Sequence, residues 1–353
     1  MIAKKLEFKN FRNLAEGFIE PDSNINIICG ENAQGKTNIT EALWLFTGAK
    51  SFRGAKDAEM VSFGFDEAKV SLDFLSGGVS RNAEITIKQR RSATLDTKKL
   101  RAPSLLAGNF CAIVFSPSDL EIIKEGPALR RRFLDIALGQ LYPSYIDLLR
   151  DYTRAVTQRN TLLKESNEKP DLELLSVFEA EIADKGSKIT RYRTDYCQKL
   201  TPYLTDIYSG LSGKNEELFA EYLPLCSPEN LAEELLRSRK KDIYSGITSV
   251  GPHRDDIDFK INSVSARIYG SQGQQRSVAI ALKLAEARTL KGITGEEPAA
   301  ILDDVLSELD KTRQNYILNN ITDRQVFITC CDPENIRGLI NGKVFTVTAG
   351  RVK

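Results

Sequence analysis

One eight-residue segment constrains this chain more than any other. Residues 30–37 read Gly-Glu-Asn-Ala-Gln-Gly-Lys-Thr and fit the pattern G-x-x-x-x-G-K-[ST] without a gap. A short strand, residues 26–29, is predicted before this segment, and residues 38–46 have the pattern of a helix that ends before Gly48. The segment therefore predicts a phosphate-binding loop between a strand and a helix, and hence an α/β fold. The alternative is a chance glycine-rich turn, which the flanking strand and helix disfavour.

In this phosphate loop (residues 30–37), each residue type has a physical role. Glycines allow the backbone to bend so that its N–H groups face a phosphate, and the following helix directs its positive end at the anion. Lys36 would reach the β- and γ-phosphates, and the Thr37 hydroxyl would bind Mg²⁺. The predicted nucleotide-binding residues are Gly30, Glu31, Asn32, Ala33, Gln34, Gly35, Lys36 and Thr37.

A second part of the same site is predicted far along the chain. Residues 299–302 are an apolar run that ends in Asp303 and Asp304. Asp303 would hold Mg²⁺, and Asp304 would orient or deprotonate the attacking water, so Asp304 and Lys36 are the predicted catalytic residues. An apolar run ending in two aspartates is weak evidence alone, but it gains weight beside a phosphate loop. Lys36 and Asp303 lie 267 residues apart, which indicates a large insertion between the two halves of the site.

The inserted chain begins with strand-like alternation. Residues 68–75 and 83–88 alternate apolar and polar side chains, and Gly77-Gly78 predicts the turn between them. Hydrophobic residues make up 41% of the whole chain and charged residues 27%, as expected of a packed core.

From about residue 127 the periodicity becomes helical. A break is predicted at 167–170, followed by a helix over 171–200 that is at most roughly 45 Å long. Thr201-Pro202 predicts the start of a separate, shorter helix. These helices are too short for an extended coiled-coil arm, so they predict a helical lobe.

A second candidate anion site precedes the last long helix. Residues 269–276 read Tyr-Gly-Ser-Gln-Gly-Gln-Gln-Arg, and residues 277–290 follow as a helix without breakers. A small segment with a hydroxyl group at a helix start can bind a phosphate. The same pattern is equally typical of a simple helix cap, and both interpretations stay open.

Composition excludes several other classes of protein. His253 is the only histidine, and the six cysteines form no C-x-x-C pair, which disfavours a zinc site, a disulfide scaffold and a His-based catalytic triad. Cys330-Cys331 is interpreted as a pair of small core residues, and His253 as part of a solvated or ion-paired turn. No apolar run is long enough to cross a membrane and the first residues lack a signal-peptide core, so a cytoplasmic location is expected.

The net charge of +1 does not indicate a nucleic-acid partner, so DNA binding would require local basic patches. Residues 81–101 contain seven basic and two acidic side chains, and residues 130–132 are three consecutive arginines. Such patches would give sequence-independent, salt-sensitive affinity, although a solvated basic face is an equally simple interpretation. The candidate DNA-contacting residues are Arg81, Arg90, Arg91, Lys98, Lys99, Arg101, Arg130 and Arg131.

Taken in order, these motifs resemble the RecF family, a compact group related to the ABC-type ATPase heads of SMC proteins. The resemblance spans nearly the whole chain: NFRNL (10–14), GENAQGKTNITEALW (30–44), FSPSDL (115–120), GPALRRRFLD (126–135), TSVGPHRDD (248–256), YGSQGQQR (269–276) and ILDDVLSELD (301–310).

The resemblance implies an activity and partners. RecF-like proteins bind ATP and Mg²⁺, form ATP-dependent homodimers, bind DNA at duplexes and gaps, hydrolyse ATP slowly, and help RecO and RecR to load RecA. Ser271, Gly273 and Gln274 would contact the nucleotide held by the other subunit, and Arg12 would lie near the bound nucleotide. Asp310 would lie at the dimer seam.

Two positions depart from the general ABC pattern. Asp304 replaces a more common glutamate, and Thr329 stands where transporters usually carry a histidine. No glutamine lies in FSPSDL, where a metal-contacting residue would be sought. These departures favour a slow switch over a fast motor.

The predicted architecture is an ABC/SMC-type head with a discontinuous ATP-binding lobe, residues 1–120 and 285–353, and an inserted helical lobe, residues 121–284. A transporter subunit, an SMC-like architectural protein, an ATP-gated clamp without turnover and a nuclease are the competing classes. A transporter subunit would be insensitive to DNA, and an SMC-like architectural protein would have long heptad arms. A clamp of this kind would show no turnover, and a nuclease would have an added metal-binding acidic domain.

Overall fold

The computed structural model describes residues 1–165, 170–213, 216–331 and 341–353. Contacts divide the chain into two compact units: unit 1 comprises residues 1–120, 210–213 and 279–353, and unit 2 comprises residues 121–209 and 214–278.

The strands in chain order are β1 (Ile2–Lys9), β2 (Gly17–Ile19), β3 (Ile25–Cys29), β4 (Ala68–Ser76), β5 (Val79–Ile87), β6 (Arg91–Leu95), β7 (Lys98–Lys99), β8 (Ala112–Phe115), β9 (Leu218–Leu223), β10 (Asp256–Ile261), β11 (Val264–Ser265), β12 (Ala299–Asp303), β13 (Val326–Cys330), β14 (Lys343–Thr348) and β15 (Arg351–Val352). The α-helices are α1 (Lys36–Trp44), α2 (Asp119–Lys124), α3 (Pro127–Leu141), α4 (Pro143–Glu165), α5 (Leu172–Ser212), α6 (Leu231–Ser245), α7 (Ala266–Tyr269), α8 (Gln272–Thr294) and α9 (Lys311–Asn319).

A mostly parallel sheet forms the centre of unit 1. Its strand order is β15-β14-β3-β13-β12-β8, and β15 is antiparallel to β14. Nearly every residue of β3, β8, β12 and β13 is buried, as expected for parallel strands covered on both faces. Because β13 lies between β3 and β12, the carboxyl ends of these strands place the phosphate loop and Asp303 at one edge of the sheet. The predicted α/β class is confirmed.

An antiparallel sheet in the order β2-β1-β4-β5-β6-β7 completes the strand structure of unit 1. Both strands predicted on either side of Gly77-Gly78 are confirmed as β4 and β5. The two glycines adopt φ values of 58° and 73°, which is the left-handed backbone that a two-residue hairpin turn of this kind requires.

Unit 2 is mainly helical, with a small sheet in the order β11-β10-β9. Its interior contains buried ion pairs: the Arg159 guanidinium lies 2.9 Å from Glu179 and 2.8 Å from Asp242, and all three side chains are at most 5% exposed. The predicted break at 167–170 lies largely outside the described residues.

The prediction of a separate helix starting at Thr201-Pro202 is wrong. Helix α5 continues without interruption through Pro202 to Ser212 and, with 41 residues, is about 60 Å long. Pro202 lacks the N–H for one helical hydrogen bond, but its side chain is exposed and the buried stripe continues through Leu204 and Ile207. The Thr201 hydroxyl donates to Cys197 O at 2.8 Å and to Ala220 O of β9 at 3.2 Å. Packing along this stripe therefore outweighs the local preference for a helix start.

Among the described residues, no helix combines the length and the apolar character needed to cross a bilayer.

Candidate nucleotide site

The phosphate loop joins β3 to α1 and depends on residues that tolerate a left-handed backbone. Gly30 and Gly35 have φ values of 155° and 115°. A Cβ atom on Gly30 would lie 2.3 Å from Val347 O, and one on Gly35 would lie 2.8 Å from Asn13 Oδ1. Both positions therefore exclude any side chain, which is the physical reason for the glycines in the motif.

The Lys36 side chain stabilises the loop from inside. Its ammonium group donates to Gly30 O at 2.7 Å and to Glu31 O at 2.9 Å, and the residue is 8% exposed. The same ammonium lies 3.7 Å from Cys331 Sγ. Lys36 is thus placed at the mouth of the loop, where a phosphate would bind.

The turn between β14 and β15 clamps the loop from outside. Gly350 N donates to Gln34 O at 3.0 Å, and Ala349 N donates to the Gln34 side-chain carbonyl. Gln34 is therefore a residue that ties the loop to the end of the chain, in addition to its predicted place beside the nucleotide.

Both aspartates lie at the end of β12, as the sequence predicts. Asp303 is 7% exposed and accepts hydrogen bonds from Thr329 Oγ1 at 3.0 Å and from Thr40 Oγ1 at 3.4 Å. Burial raises the pKa of Asp303 above its ordinary value, while hydrogen bonds from Thr329 and Thr37 oppose this shift. Asp304 is exposed and adopts a left-handed backbone with φ 55°, and its N–H donates to Thr329 Oγ1 at 2.9 Å.

The oxygen donors at this point fit Mg²⁺. Thr37 supplies a hydroxyl group and Asp303 a carboxylate, and Mg²⁺ prefers such hard oxygen ligands together with phosphate oxygens and water. Within the described residues, no group of three or more His, Cys, Asp or Glu side chains could hold a metal ion. A Mg²⁺ ion here would therefore depend on phosphate oxygens for part of its coordination.

A buried carboxylate fixes two arginines beside the loop. Glu41, on α1, is fully buried and accepts from Arg12 Nε at 2.9 Å and Nη2 at 2.8 Å, and Ser51 also donates to it. Arg53 Nη1 lies 3.8 Å from the same carboxylate and donates to Asn38 Oδ1 at 2.9 Å. Arg12 was predicted near the nucleotide, whereas Glu41 and Arg53 were missed because neither residue belongs to the pattern G-x-x-x-x-G-K-[ST].

An open pocket of about 730 Å³ in unit 1 is lined by part of this arrangement, including Lys36, Thr37 and Asp304. The pocket brings together residues that are far apart in the sequence, from the loop, from α1, from the segment after Arg53, and from the ends of β12 and β13. Its lining comprises Arg12, Asn13, Asn32, Ala33, Gly35, Lys36, Thr37, Asn38, Arg53, Ala58, Glu59, Val61, Phe63, Asp304 and Thr329.

The second candidate anion site belongs to unit 2 and forms a reciprocal helix cap. Gln274 N donates to Ser271 Oγ at 3.2 Å, and Ser271 N donates to Gln274 Oε1 at 2.8 Å. Gln274 also donates to Glu216 Oε1 at 2.8 Å. The helix-cap interpretation is confirmed. Ser271 is exposed, Gly273 is half-buried, and nucleotide binding by Ser271, Gly273 and Gln274 stays a prediction.

Asp310 has a local structural role as well. It caps the N-terminus of α9 by accepting from Arg313 N at 3.0 Å, and its side chain also forms an ion pair with Arg313. The place of Asp310 at a dimer seam stays a prediction.

The candidate DNA-contacting residues separate into two groups. Arg130 is 2% exposed and paired with Asp256 through two contacts of 2.7 and 2.9 Å, and Arg131 donates to Asp255 O. Arg91 pairs with Asp57 at 2.9 Å, and burial lowers its pKa. These arginines are used within the protein, which leaves them poorly placed to neutralise phosphates. Arg81 is half-buried against Asp96 and Asn109, and the fully exposed candidates are Arg90, Lys98, Lys99 and Arg101.

Two smaller predictions concern the turn at His253 and the pair Cys330-Cys331. The His253 ring is mostly buried and hydrogen-bonded on both nitrogens, to Tyr152 OH at 2.6 Å and Thr248 O at 3.0 Å, and burial lowers its pKa. Residues 252–254 form a turn and Asp256 pairs with Arg130 at 2.7 Å, so the ion-paired form of the predicted turn is confirmed, although the His253 ring itself is held inside unit 2. Cys330 is buried as predicted, but Cys331 is exposed because β13 ends at Cys330, and its thiol lies 3.1 Å from Asn32 Oδ1.

Comparison with known proteins agrees with this geometry. The family described as RecF/RecN/SMC N terminal domain matches residues 2–351. The chain is 40% identical to the DNA replication and repair protein RecF of Agathobacter rectalis, over 100% of this chain and 99% of that protein. A solved structure of the recombination mediator protein RecF with ATP, from the RecFOR pathway, superposes with a TM-score of 0.92 at 34% identity, over 100% of this chain and 97% of that chain.

A more distant structure extends the likeness in fold alone. The Smc head domain of Pyrococcus furiosus, bound to the C-terminal domain of ScpA, has a TM-score of 0.55 at 15% identity, over 100% of this chain and 95% of that chain. Together these likenesses confirm the predicted ABC/SMC-type head fold and the resemblance seen in the motifs.

Proposed function

Because the chain belongs to the RecF family of ABC/SMC-type ATPases, we propose that it is an ATP-dependent DNA-binding protein of recombinational repair and replication restart. The observation that carries this proposal is the pocket of unit 1, where Lys36 and Thr37 of the loop meet Asp304 and Thr329 from the strand ends. A protein of this type would act in the cytoplasm, where bacterial DNA lies.

Nucleotide binding follows from the arrangement of the loop. The backbone N–H groups and the N-terminus of α1 would bind the β-phosphate, and Lys36 would exchange its bonds to Gly30 O and Glu31 O for phosphate oxygens. Arg12 would add positive charge beside the nucleotide without having to reorganise, because Glu41 already fixes its guanidinium. Thr37 and Asp303 would hold Mg²⁺, which neutralises charge on the phosphates.

Hydrolysis would rely on Asp304. Its exposed carboxylate would orient or deprotonate the attacking water. Thr329 contacts the backbone of Asp304 and the carboxylate of Asp303, so it would keep both acids in position as a positioning residue. Aspartate is one methylene shorter than glutamate and Thr329 has no titratable group, so we expect slow turnover that DNA stimulates.

Dimerisation would complete the site. Ser271, Gly273 and Gln274 of a second copy would contact the γ-phosphate held by Lys36 and Thr37 of the first. Support comes from the exposure of Ser271 at the start of a 23-residue helix, whose N-terminal N–H groups favour an anion. The γ-phosphate would then act as a switch, since its contacts to the second copy exist only before hydrolysis.

DNA would bind along a basic edge, which we define as Arg90, Lys98, Lys99 and Arg101. Lys98 and Lys99 form β7, the edge strand of the antiparallel sheet, and Leu100 N donates to Ala93 O, so Arg101 follows on the same edge. Arg90 is exposed in the turn between β5 and β6. The four cations would bind phosphates without reading sequence, and affinity should fall steeply with salt. Duplexes and gap junctions are the proposed DNA forms. Hydrolysis would release the DNA, with RecO and RecR as partners in loading RecA.

Binding of a fluorescent gapped duplex, measured with ATP and with ADP, tests this proposal. We expect tighter binding with ATP, and slower DNA release for Asp304→Asn, which removes the carboxylate at nearly constant size. Lys98→Glu combined with Lys99→Glu should weaken DNA binding about tenfold or more without changing ATP affinity. Lys188→Glu, an exposed lysine of unit 2, is the matched control. Equal DNA affinity with ATP and ADP would contradict the proposal.

A further inference from the structure

An exposed aromatic side chain lines the nucleotide pocket. Phe63 is 105% exposed, yet it belongs to the lining of the pocket together with Lys36 and Thr37. Because Phe63 lines the pocket and its ring is exposed, that ring is open to a ligand that binds there and would gain free energy by burial against it. Phe65, two residues later, is 57% exposed and lies outside the pocket lining.

The backbone holds Phe63 in place although its side chain is free of contacts with a core. Arg12 N donates to Met60 O and Ser62 N donates to Asn10 O, each at 2.8 Å, and these bonds tie the segment before Phe63 to the end of β1. Phe65 N then donates to Ser62 O at 3.1 Å, which closes a turn with Phe63 and Gly64 as its central residues. Gly64 has φ 85°, as a type II turn requires at that position.

The chemistry of the pocket changes along its lining. One part presents a cation, hydroxyl groups and backbone N–H groups, from Lys36, Thr37 and the phosphate loop. The segment from residue 58 to residue 63 instead contributes three apolar residues, Ala58, Val61 and Phe63, together with the acidic Glu59, and it contributes no cation. A nucleoside triphosphate has the same division, with an anionic chain at one end and a flat, weakly polar base at the other.

We propose that Phe63 stacks on the base of the bound nucleotide and is a base-binding residue of this pocket. This inference rests on the proposed function, because it assumes that the loop holds the phosphates. Stacking of a base on an aromatic ring changes affinity on the order of tenfold to a hundredfold and acts on the base alone. Phe63 would therefore contribute to the affinity for a nucleotide but not to that for a chain of phosphates.

Calorimetric titration of wild type, Phe63→Ala, Phe63→Tyr and Phe65→Ala with Mg²⁺–ATP and with Mg²⁺–tripolyphosphate tests this inference. For Phe63→Ala we expect ATP affinity to fall by about tenfold to a hundredfold, while tripolyphosphate affinity stays unchanged. Phe63→Tyr should keep wild-type ATP affinity, because its ring can stack in the same way. Phe65→Ala is the matched control and should leave both affinities unchanged. Because Phe63 is fully exposed, its replacement should leave the thermal unfolding midpoint unchanged, which calorimetry of the free protein checks.

Other outcomes separate the inference from the proposed function. If Phe63→Ala binds ATP as tightly as wild type does, or loses affinity for ATP and tripolyphosphate equally, the stacking role is overturned. If wild type binds neither ligand, or Lys36→Met binds both as tightly as wild type does, the phosphate site itself fails. In that case the proposed function falls and stacking falls with it.

Discussion

Two segments of this chain have the sequence character of an anion site, and the structure stabilises them in different ways. The phosphate loop in unit 1 is held by other parts of the chain: Lys36 from within, Asn13 through Ala33 O at 2.9 Å, and the turn at Gly350 from outside. The segment at Ser271 in unit 2 is held mainly by its own helix cap. The first is therefore a loop whose conformation is fixed by the rest of unit 1, whereas the second is an exposed helix end that is fixed mainly by its own cap. This difference is what a site shared between two copies would require.

The largest expected effect comes from disturbing the preformed loop. Gly30→Ala would place a Cβ atom 2.3 Å from Val347 O at φ 155°, so the loop or β14 must shift. We expect ATP affinity to fall by about a hundredfold or more, because the backbone N–H groups would no longer converge on the phosphate. Isothermal titration with Mg²⁺–ATP measures this loss.

A matched control distinguishes lost geometry from simple backbone strain. Gly295 also has a positive φ, 76°, but a Cβ atom there would meet no atom within 4 Å. Gly295→Ala should cost about 1 kcal/mol of unfolding free energy and leave ATP affinity unchanged. Wild-type ATP affinity in Gly30→Ala would show that the loop is not held as described.

A smaller effect is expected from pH, which should change Mg²⁺–ATP affinity through the phosphate loop and its neighbouring Asp303 alone. Burial raises the pKa of Asp303, and Mg²⁺ binding requires the ionised carboxylate. Mg²⁺–ATP affinity should therefore fall several-fold as pH decreases through this raised pKa, in the range above the ordinary aspartate value of about 4.

Titrations of Asp303→Asn and Ser271→Ala across pH serve as controls. Asp303→Asn should bind more weakly and lose the pH dependence, while Ser271→Ala should retain the wild-type profile. An unchanged pH dependence in Asp303→Asn would assign the effect to another group. The raised pKa of Asp303 also affects the free energy of unfolding. Because the folded protein holds this proton more tightly than the unfolded chain does, the carboxyl group stabilises the fold at low pH, and this stabilisation is lost as pH rises through the raised pKa.

The smallest expected effect is local to the cap. Ser271→Ala removes the oxygen that accepts from Gln274 N and should lower the unfolding free energy by about 1 kcal/mol. ATP binding to the monomer should not change, because the loop lies in unit 1. Chemical denaturation and nucleotide titration of the same variant measure both quantities. A large loss of monomer ATP affinity in Ser271→Ala would contradict the proposed division of roles.

Local patterns predicted the local structure of the candidate site well wherever a short motif fixed it. The loop, the paired aspartates and the turn at Gly77-Gly78 have short-range signatures that tertiary structure does not override. Glu41 and Arg53 could not be identified in this way, because their roles arise from contacts with Arg12 and Asn38 that only the folded chain provides. The sequence draws attention to Thr329 only because transporters usually carry a histidine at that position. Its hydrogen bonds with both aspartates are seen only in the structure.

Predictions failed where packing outweighed local preference. The proline signal at residue 202 suggests a helix start, but the buried stripe from Leu200 to Ile207 keeps α5 continuous. Arg130 appears in the sequence as part of a basic cluster, whereas the fold pairs it with Asp256, 126 residues away. A charge count along the chain cannot distinguish a buried ion pair from an exposed cation, since both have the same sequence.

Mixing two inactive variants tests most directly whether each nucleotide site is shared between two copies. Lys36→Met lacks the loop cation and Ser271→Arg blocks the exposed helix end, so each variant alone should hydrolyse ATP at background rate in the presence of gapped DNA. In an equal mixture about half of the dimers would be mixed, and each of these would contain one intact site, so we predict about a quarter of the wild-type rate. A mixture that remains at the background rate, with both variants folded and at wild-type concentration, would contradict the shared site.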